Sequence, residues 1–112
     1  MIHKMRLKNE PFRKISDGTK TVELRLNDEK RQLVKTGDYI EFSLLDSPDE
    51  KIVVEVIALH HFNNFQELYT AIPKEKMGYS PEEFPDPNHM DDYYSSEKQS
   101  QYGVLGIEFV TR

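Results

Sequence analysis

The sequence predicts an α+β domain, a small mixed β-barrel of about five to six strands decorated by short helices. Strand-like runs follow one another across short turns, and helices are inserted between them without strict alternation. The length, 112 residues, suits one domain spanning 1–112 with a single modest core. A mean hydropathy of -0.72 by itself suggests a chain too polar to fold. However, 29 of the residues are Leu, Ile, Val or Phe, above the roughly one fifth needed for collapse.

Ile2 to Leu7 alternates unevenly between apolar and polar residues, as an edge strand with one wet face does. Pro11 then opens a short helix carrying Phe12 and Ile15, closed by Asp17-Gly18. From Thr19 to Leu26 the alternation is clean: Val22, Leu24 and Leu26 share one face, and Thr21, Glu23 and Arg25 share the other. Asn27 or Asp28 caps a helical turn reaching Leu33-Val34. Lys35-Thr36-Gly37-Asp38 then turns into a strand from Tyr39 to Leu45. Asp46 to Glu50 reads as a turn, and Ile52 to Phe62 as a strand whose early part is apolar on both faces except at Glu55, hence running through the core. Asn64 with Glu67 resembles a capping box for a helix striped by Phe65, Leu68, Tyr69 and Ile72, which Pro73 ends. Pro73 is the first of four prolines that punctuate the chain up to Pro87, and Ser80 to Glu83 suits the cap of a brief turn. Asp86-Pro87 starts a helix with Met90, Tyr93, Tyr94 and Glu97 in one stripe. Gly103 closes it, and Val104 to Val110 makes the last strand, where Gly106 suggests a bulge or a close approach.

The net charge of -5 argues against a non-specific nucleic-acid binder, but it hides a division. Residues 1–35 carry a net of +5 and residues 36–112 a net of -10. The absence of cysteine excludes a disulfide scaffold, a thiolate metal site and a Cys nucleophile. Neither a secretory leader nor an apolar run of membrane-spanning length is present, so a cytoplasmic location without membrane contact is the expectation. His60 and His61 invite a metal reading. Neighbouring strand side chains face opposite ways, however, and nothing spaced nearby completes a site, so no metal or cofactor is expected. His89 beside Asp91 and Asp92 is equally poor. Ser43, Ser95 and Ser96 lack a nucleophile-elbow context, and no glycine-rich phosphate loop occurs.

The run Gly18-Thr19-Lys20-Thr21-Val22-Glu23-Leu24-Arg25 is the most informative. Glu23 and Arg25 stand ~7 Å apart on one strand face. In a cleft, Arg25 offers a planar fork for phosphate or a base edge, Lys20 a mobile cation, and Glu23 an acceptor for a base amine or ribose hydroxyl. The same spacing also fits a solvated face with a weak Glu–Arg pair. Four tyrosines, Tyr79, Tyr93, Tyr94 and Tyr102, fall close to Asp91, Asp92 and Glu97. Their rings suit stacking on unpaired bases, and equally a helix that packs its apolar body inward.

With Gly18-x-Lys20-x-x-Glu23-x-Arg25 followed by Gly37-Asp38 at a strand entry, the chain resembles the ASCH domain family, a branch of the PUA-like β-barrels, as a small stand-alone, bacterial-type member. Pro11-Phe12 with Ile15 and the closing Tyr102-Gly103-Val104-x-Gly106-Ile107-x-Phe109 extend the likeness over nearly the whole chain. The resemblance implies a cleft for RNA or a nucleotide-like ligand, lined by Lys20, Glu23 and Arg25. Some members are enzymes: one branch looks like an N4-acetylcytidine amidohydrolase using a lysine, a threonine three residues later and a distant glutamate, and others are ribonucleases. Here Lys20 fills the lysine position, but Glu23 stands where the threonine would be. Its carboxylate stabilises the Lys20 ammonium, the wrong direction for a base or nucleophile. Thr21 is the substitute hydroxyl, and Glu67 and Glu75 are candidates by position for the distant glutamate.

The expected function is therefore binding of single-stranded RNA or a nucleotide. Lys20 and Arg25 would hold phosphate, Glu23 would read a polar edge, and Tyr93, Tyr94 or Tyr102 would stack. Two alternatives stand beside it. One is a hydrolase of a modified nucleoside or of RNA using Lys20, Glu23 and Thr21; the other is a module whose acidic 79–102 segment meets a protein partner. An acidic body favours a short strand or nucleotide over long duplex.

Overall fold

The computed structural model describes residues 1–111. Five strands, β1 (Ile2–Leu7), β2 (Val22–Leu26), β3 (Tyr39–Leu44), β4 (Ser47–Phe62) and β5 (Val104–Thr111), form one sheet in the order β1-β3-β4-β5-β2. β1 runs parallel to β3 and the other pairings are antiparallel, so the sheet is mixed. It curls into a half-barrel that leaves β1 and β2 as its two outer strands. Three α-helices decorate it: α1 (Asn9–Ser16), α2 (Phe65–Ala71) and α3 (Ser96–Tyr102), joined by 3₁₀ turns at Arg31–Leu33, Lys74–Lys76 and Pro87–Asp92. No described helix is long and apolar enough to cross a membrane.

Two apolar clusters form where a single core was expected. Inside the curl, Phe12 and Ile15 of α1 pack against Met5, Ile40, Phe42, Val54, Leu105, Ile107 and Phe109. On the opposite face, Phe65 and Leu68 of α2, with Ile72 just past its end, cover Val22, Leu26, Val104 and Met77. The two-residue period of β5 feeds both clusters: Leu105, Ile107 and Phe109 turn inward, while Val104 and Gly106 turn toward α2. At Gly106 the expected close approach is real: an added Cβ would lie 2.8 Å from Ile72 Cδ1. Register irregularities lie instead in β4, between Val56 and Ala58, and in the β3–β4 pairing, between Ser43 and Leu44.

Three further expectations are corrected. The turn after β3 is only Leu45-Asp46, and Ser47 to Lys51 extends β4 as an exposed ribbon paired back toward β3. The apolar part of β4 is buried on one face only: Val54 and Val56 are inaccessible, whereas Val53 and Ile57 are each 42% exposed, because no layer covers the outside of the curl there. The helix expected from Asp86-Pro87 to Gly103 is broken in two. Ser95 adopts an extended backbone and its hydroxyl accepts from Lys98 N–H, which caps α3 and ends the preceding turns. Buried Gln99 fastens this segment to the body: its oxygen accepts from Phe65 N–H, and its amide donates to Asp91 and to the Tyr94 carbonyl. Gly103, at φ +73°, closes α3 as expected.

Candidate functional site

Lys20, Glu23 and Arg25 converge. α1 ends at Gly18 with φ +86°, and the chain enters β2 fastened on both sides. Lys20 N–H donates to the Lys14 carbonyl, and Thr21 N–H to the Lys76 carbonyl. An antiparallel bridge to Met77 completes this anchoring, so the Lys20 side chain is directed at Glu23 from under a cover of backbone. Glu23 is opposite Ile107 in β5 and shares its inward-facing side of the sheet. This carboxylate is therefore buried, only 4% exposed.

Both of its oxygens are engaged. Oε1 accepts from Lys20 Nζ at 2.8 Å and from Leu24 N–H at 3.2 Å. Oε2 accepts from Arg25 Nε at 3.1 Å and Nη2 at 2.9 Å, so two prongs of the guanidinium converge on one carboxylate oxygen. Burial pushes the Glu23 carboxyl upward, but the charges and hydrogen bonds of Lys20 and Arg25 outweigh it and hold the group at about 2. It is an anion at any physiological pH.

Arg25 Nη2 also donates to the Arg6 carbonyl at 3.0 Å, so one guanidinium spans the gap between β2 and β1. Its Nη1 carries two N–H donors that meet no hydrogen-bond partner among the described residues. A cleft of about 390 Å³ opens at this seam, with Arg6, Lys8, Glu10, Glu23 and Arg25 along it and Met90, Tyr93 and Tyr94 as one wall. Tyr93 is 61% exposed with Lys8 Nζ 5.1 Å from its ring centre. Tyr94 stacks on Phe65 at 5.7 Å and belongs to the α2 cluster.

The remaining candidates lie apart. Lys20 supports Glu23 from behind and does not line the cleft. Thr21 takes part through its backbone, donating to Lys76 and accepting from Phe109 N–H. Tyr102 donates to Glu29 at 2.9 Å and borders a different cleft of about 790 Å³, rich in amide and hydroxyl side chains. Glu67 accepts from Asn63 at the start of α2, and Glu75 is exposed on a 3₁₀ turn; neither forms an ion pair with Lys20 among the described residues. His60 pairs with Glu108 at 2.9 Å, and Lys76 reaches the other Glu108 oxygen. In the acidic segment Asp91 is tied to Gln99, while Asp92 and Glu97 are exposed.

Arg6, Lys8 and Met90 are lining residues that sequence reasoning passed over. The basic excess of residues 1–35 was the available signal for the first two, whereas Met90 arrives only because the loop folds back.

Among solved structures, the hypothetical protein PH0355 matches with a TM-score of 0.84 at 28% identity, over 100% of both chains. The Pyrococcus furiosus protein PF0455 matches with a TM-score of 0.72 at 30% identity, covering 99% of this chain and 97% of that one. An ASCH protein from Zymomonas mobilis shares the fold at a TM-score of 0.68 and 15% identity, over 97% of this chain and 66% of that one. No curated protein matches the sequence. The ASCH domain pattern itself runs over residues 5–111, and this chain belongs to the ASCH domain family, with its PUA-like α+β half-barrel.

Proposed function

We propose that the protein binds a nucleotide-like ligand or a short single strand of RNA in the seam cleft. The two free N–H donors on Arg25 Nη1 carry this reading. Glu23 and the Arg6 carbonyl hold the guanidinium in a fixed plane, so it is preorganised, and the donors left over suit a phosphate or a base edge. Lys8 and Arg6 add positive charge, and exposed Tyr93 offers a ring face for a base. Glu23 orients Arg25 and is not itself a free acceptor.

The same geometry favours binding over the hydrolase alternative. Lys20 and Glu23 are committed to each other, and the Thr21 hydroxyl makes no hydrogen bond to Lys20 among the described residues. Titration with mononucleotides and short RNAs at low and moderate salt tests the proposal: saturable binding that weakens in Arg25→Ala and Tyr93→Ala is expected. Absence of binding, or binding indifferent to both substitutions, overturns it. Turnover of N4-acetylcytidine or of RNA that is lost in Lys20→Ala would replace it with the enzyme reading.

A further inference from the structure

On the other side of Arg25 from the tyrosine wall lies a second cleft, of about 540 Å³, whose charge is almost all of one sign. Lys4 and Arg6 of β1, Lys30 and Arg31 of the turn after β2, and Lys51 of β4 line it with Arg25; Glu41 is its one carboxylate. Arg25 is paired with Glu23 and Arg31 with Asp28 at 3.5 Å, but the other cations are poorly neutralised. Lys4, Arg6 and Lys30 have no ion pair among the described residues. Lys51 reaches Glu41 only at 4.0 Å. The Arg31 Nε is buried without a hydrogen-bond partner. In a chain of net charge -5, carboxylates to pair with them are plentiful, yet these cations gather against their mutual repulsion.

Arg6 and Arg25 border both clefts, so the two adjoin across this pair of residues. We infer that the two clefts together hold a single-stranded polynucleotide. One base sits at the tyrosine wall, and the phosphates that follow lie along Lys4, Arg6, Lys30 and Lys51. The inference rests on the seam-cleft reading and goes beyond it, because it selects a strand with several phosphates over a mononucleotide. A point anion such as free phosphate would need cations converging on one spot, whereas a strand can engage cations that, like these, come from four separate segments of the chain. Duplex is disfavoured by the acidic remainder of the surface.

The test compares uridine 5′-monophosphate, an eight-residue oligouridylate, the matching oligothymidylate and a duplex of the same length on the intact chain at 50 and 200 mM salt. With about 0.7 counterions released per phosphate contacted on a single strand, three contacts cost the oligouridylate about twentyfold in affinity between the two salts, and one contact costs the mononucleotide about threefold. The triple substitution Lys4→Ser, Lys30→Ser, Lys51→Ser changes only exposed side chains. It should remove the octamer's advantage and its steep salt dependence while leaving mononucleotide binding unaltered. The pair Lys74→Ser, Lys98→Ser should change neither. A preference for oligouridylate over oligothymidylate identifies the strand as RNA; equal binding identifies the two clefts as indifferent to the sugar. The inference is overturned if the octamer binds no tighter than the mononucleotide, if the triple variant binds it like the parent, or if duplex binds as well. In those cases mononucleotide binding would leave the seam reading standing. Absence of all binding overturns both.

Discussion

Arg25 of β2 donates to the carbonyl oxygen of Arg6 in β1 at 3.0 Å, and through this bond the two outer strands of the sheet, which are not paired with each other, are joined. The half-barrel is thus latched by a side chain where a closed barrel would have a strand ladder. Arg25→Lys keeps the charge but not the fork, so the latch and the paired contact with Glu23 should not both survive. A stability loss of about 1–3 kcal/mol is expected from losing charge-assisted hydrogen bonds, read by urea denaturation, together with weaker nucleotide binding. Unchanged stability would mean that the bond closes nothing.

Glu23 gives a pH signature. Its carboxyl is held at about 2 in the folded chain, against 4.5 for the unperturbed group. The unfolded chain therefore takes up this proton first as pH falls. The stabilisation is fully present above about 4.5 and is lost on acidification toward about 2. Glu23→Gln should flatten that part of the acid-unfolding profile. At neutral pH it should also destabilise by about 3–5 kcal/mol, since Lys20 and Arg25 then remain nearly buried without their anion. A variant with the parent's acid profile would contradict the ion-pair triad.

Tyr93 and Tyr94 are neighbours with different work. Tyr94→Ala removes a ring stacked on Phe65 in the α2 cluster and should lower stability by about 2 kcal/mol. Tyr93→Ala removes an exposed ring and should alter stability by less than about 0.5 kcal/mol. Its effect belongs to the ligand, with about tenfold weaker binding if a base stacks there. Thermal melts and titrations on the two variants separate the roles, and matching outcomes would contradict the assignment.

Gly78 presses on the site from behind. It has φ +95°, and a Cβ there would lie 3.0 Å from Lys14 Cδ and 3.3 Å from Lys20 Cβ. Gly18, at φ +86°, has open space around it. Gly18→Ala should therefore carry only the backbone cost of about 1–2 kcal/mol, and Gly78→Ala should exceed it. Equal losses, measured side by side in urea, would show that the covering segment gives way freely.

Much of the architecture was legible because it depends on local periodicity and caps. The alternation of β2, the Asn64 cap of α2 and the Gly103 stop of α3 all appear where their side chains call for them. The split of the 86–102 helix was harder to read, since Tyr93, Tyr94 and Glu97 keep helical spacing and only the Ser95 cap breaks it. The one-sided burial of β4 was not legible at all: Val53 and Ile57 look like core residues until the absence of a covering layer is known.

The site divides in the same way. Local spacing was enough to place Glu23 and Arg25 on one strand face and, with the charge division at residue 35, to single out the basic third of the chain. Tertiary structure alone decided that Lys20 turns inward to Glu23, that Tyr102 leaves for Glu29, and that Arg6 and Lys8 face Tyr93 across a seam. Side-chain direction within a strand follows from a two-residue period. Which outer strands meet depends on how the whole sheet curls, and that is set by long-range pairing no short window of sequence contains.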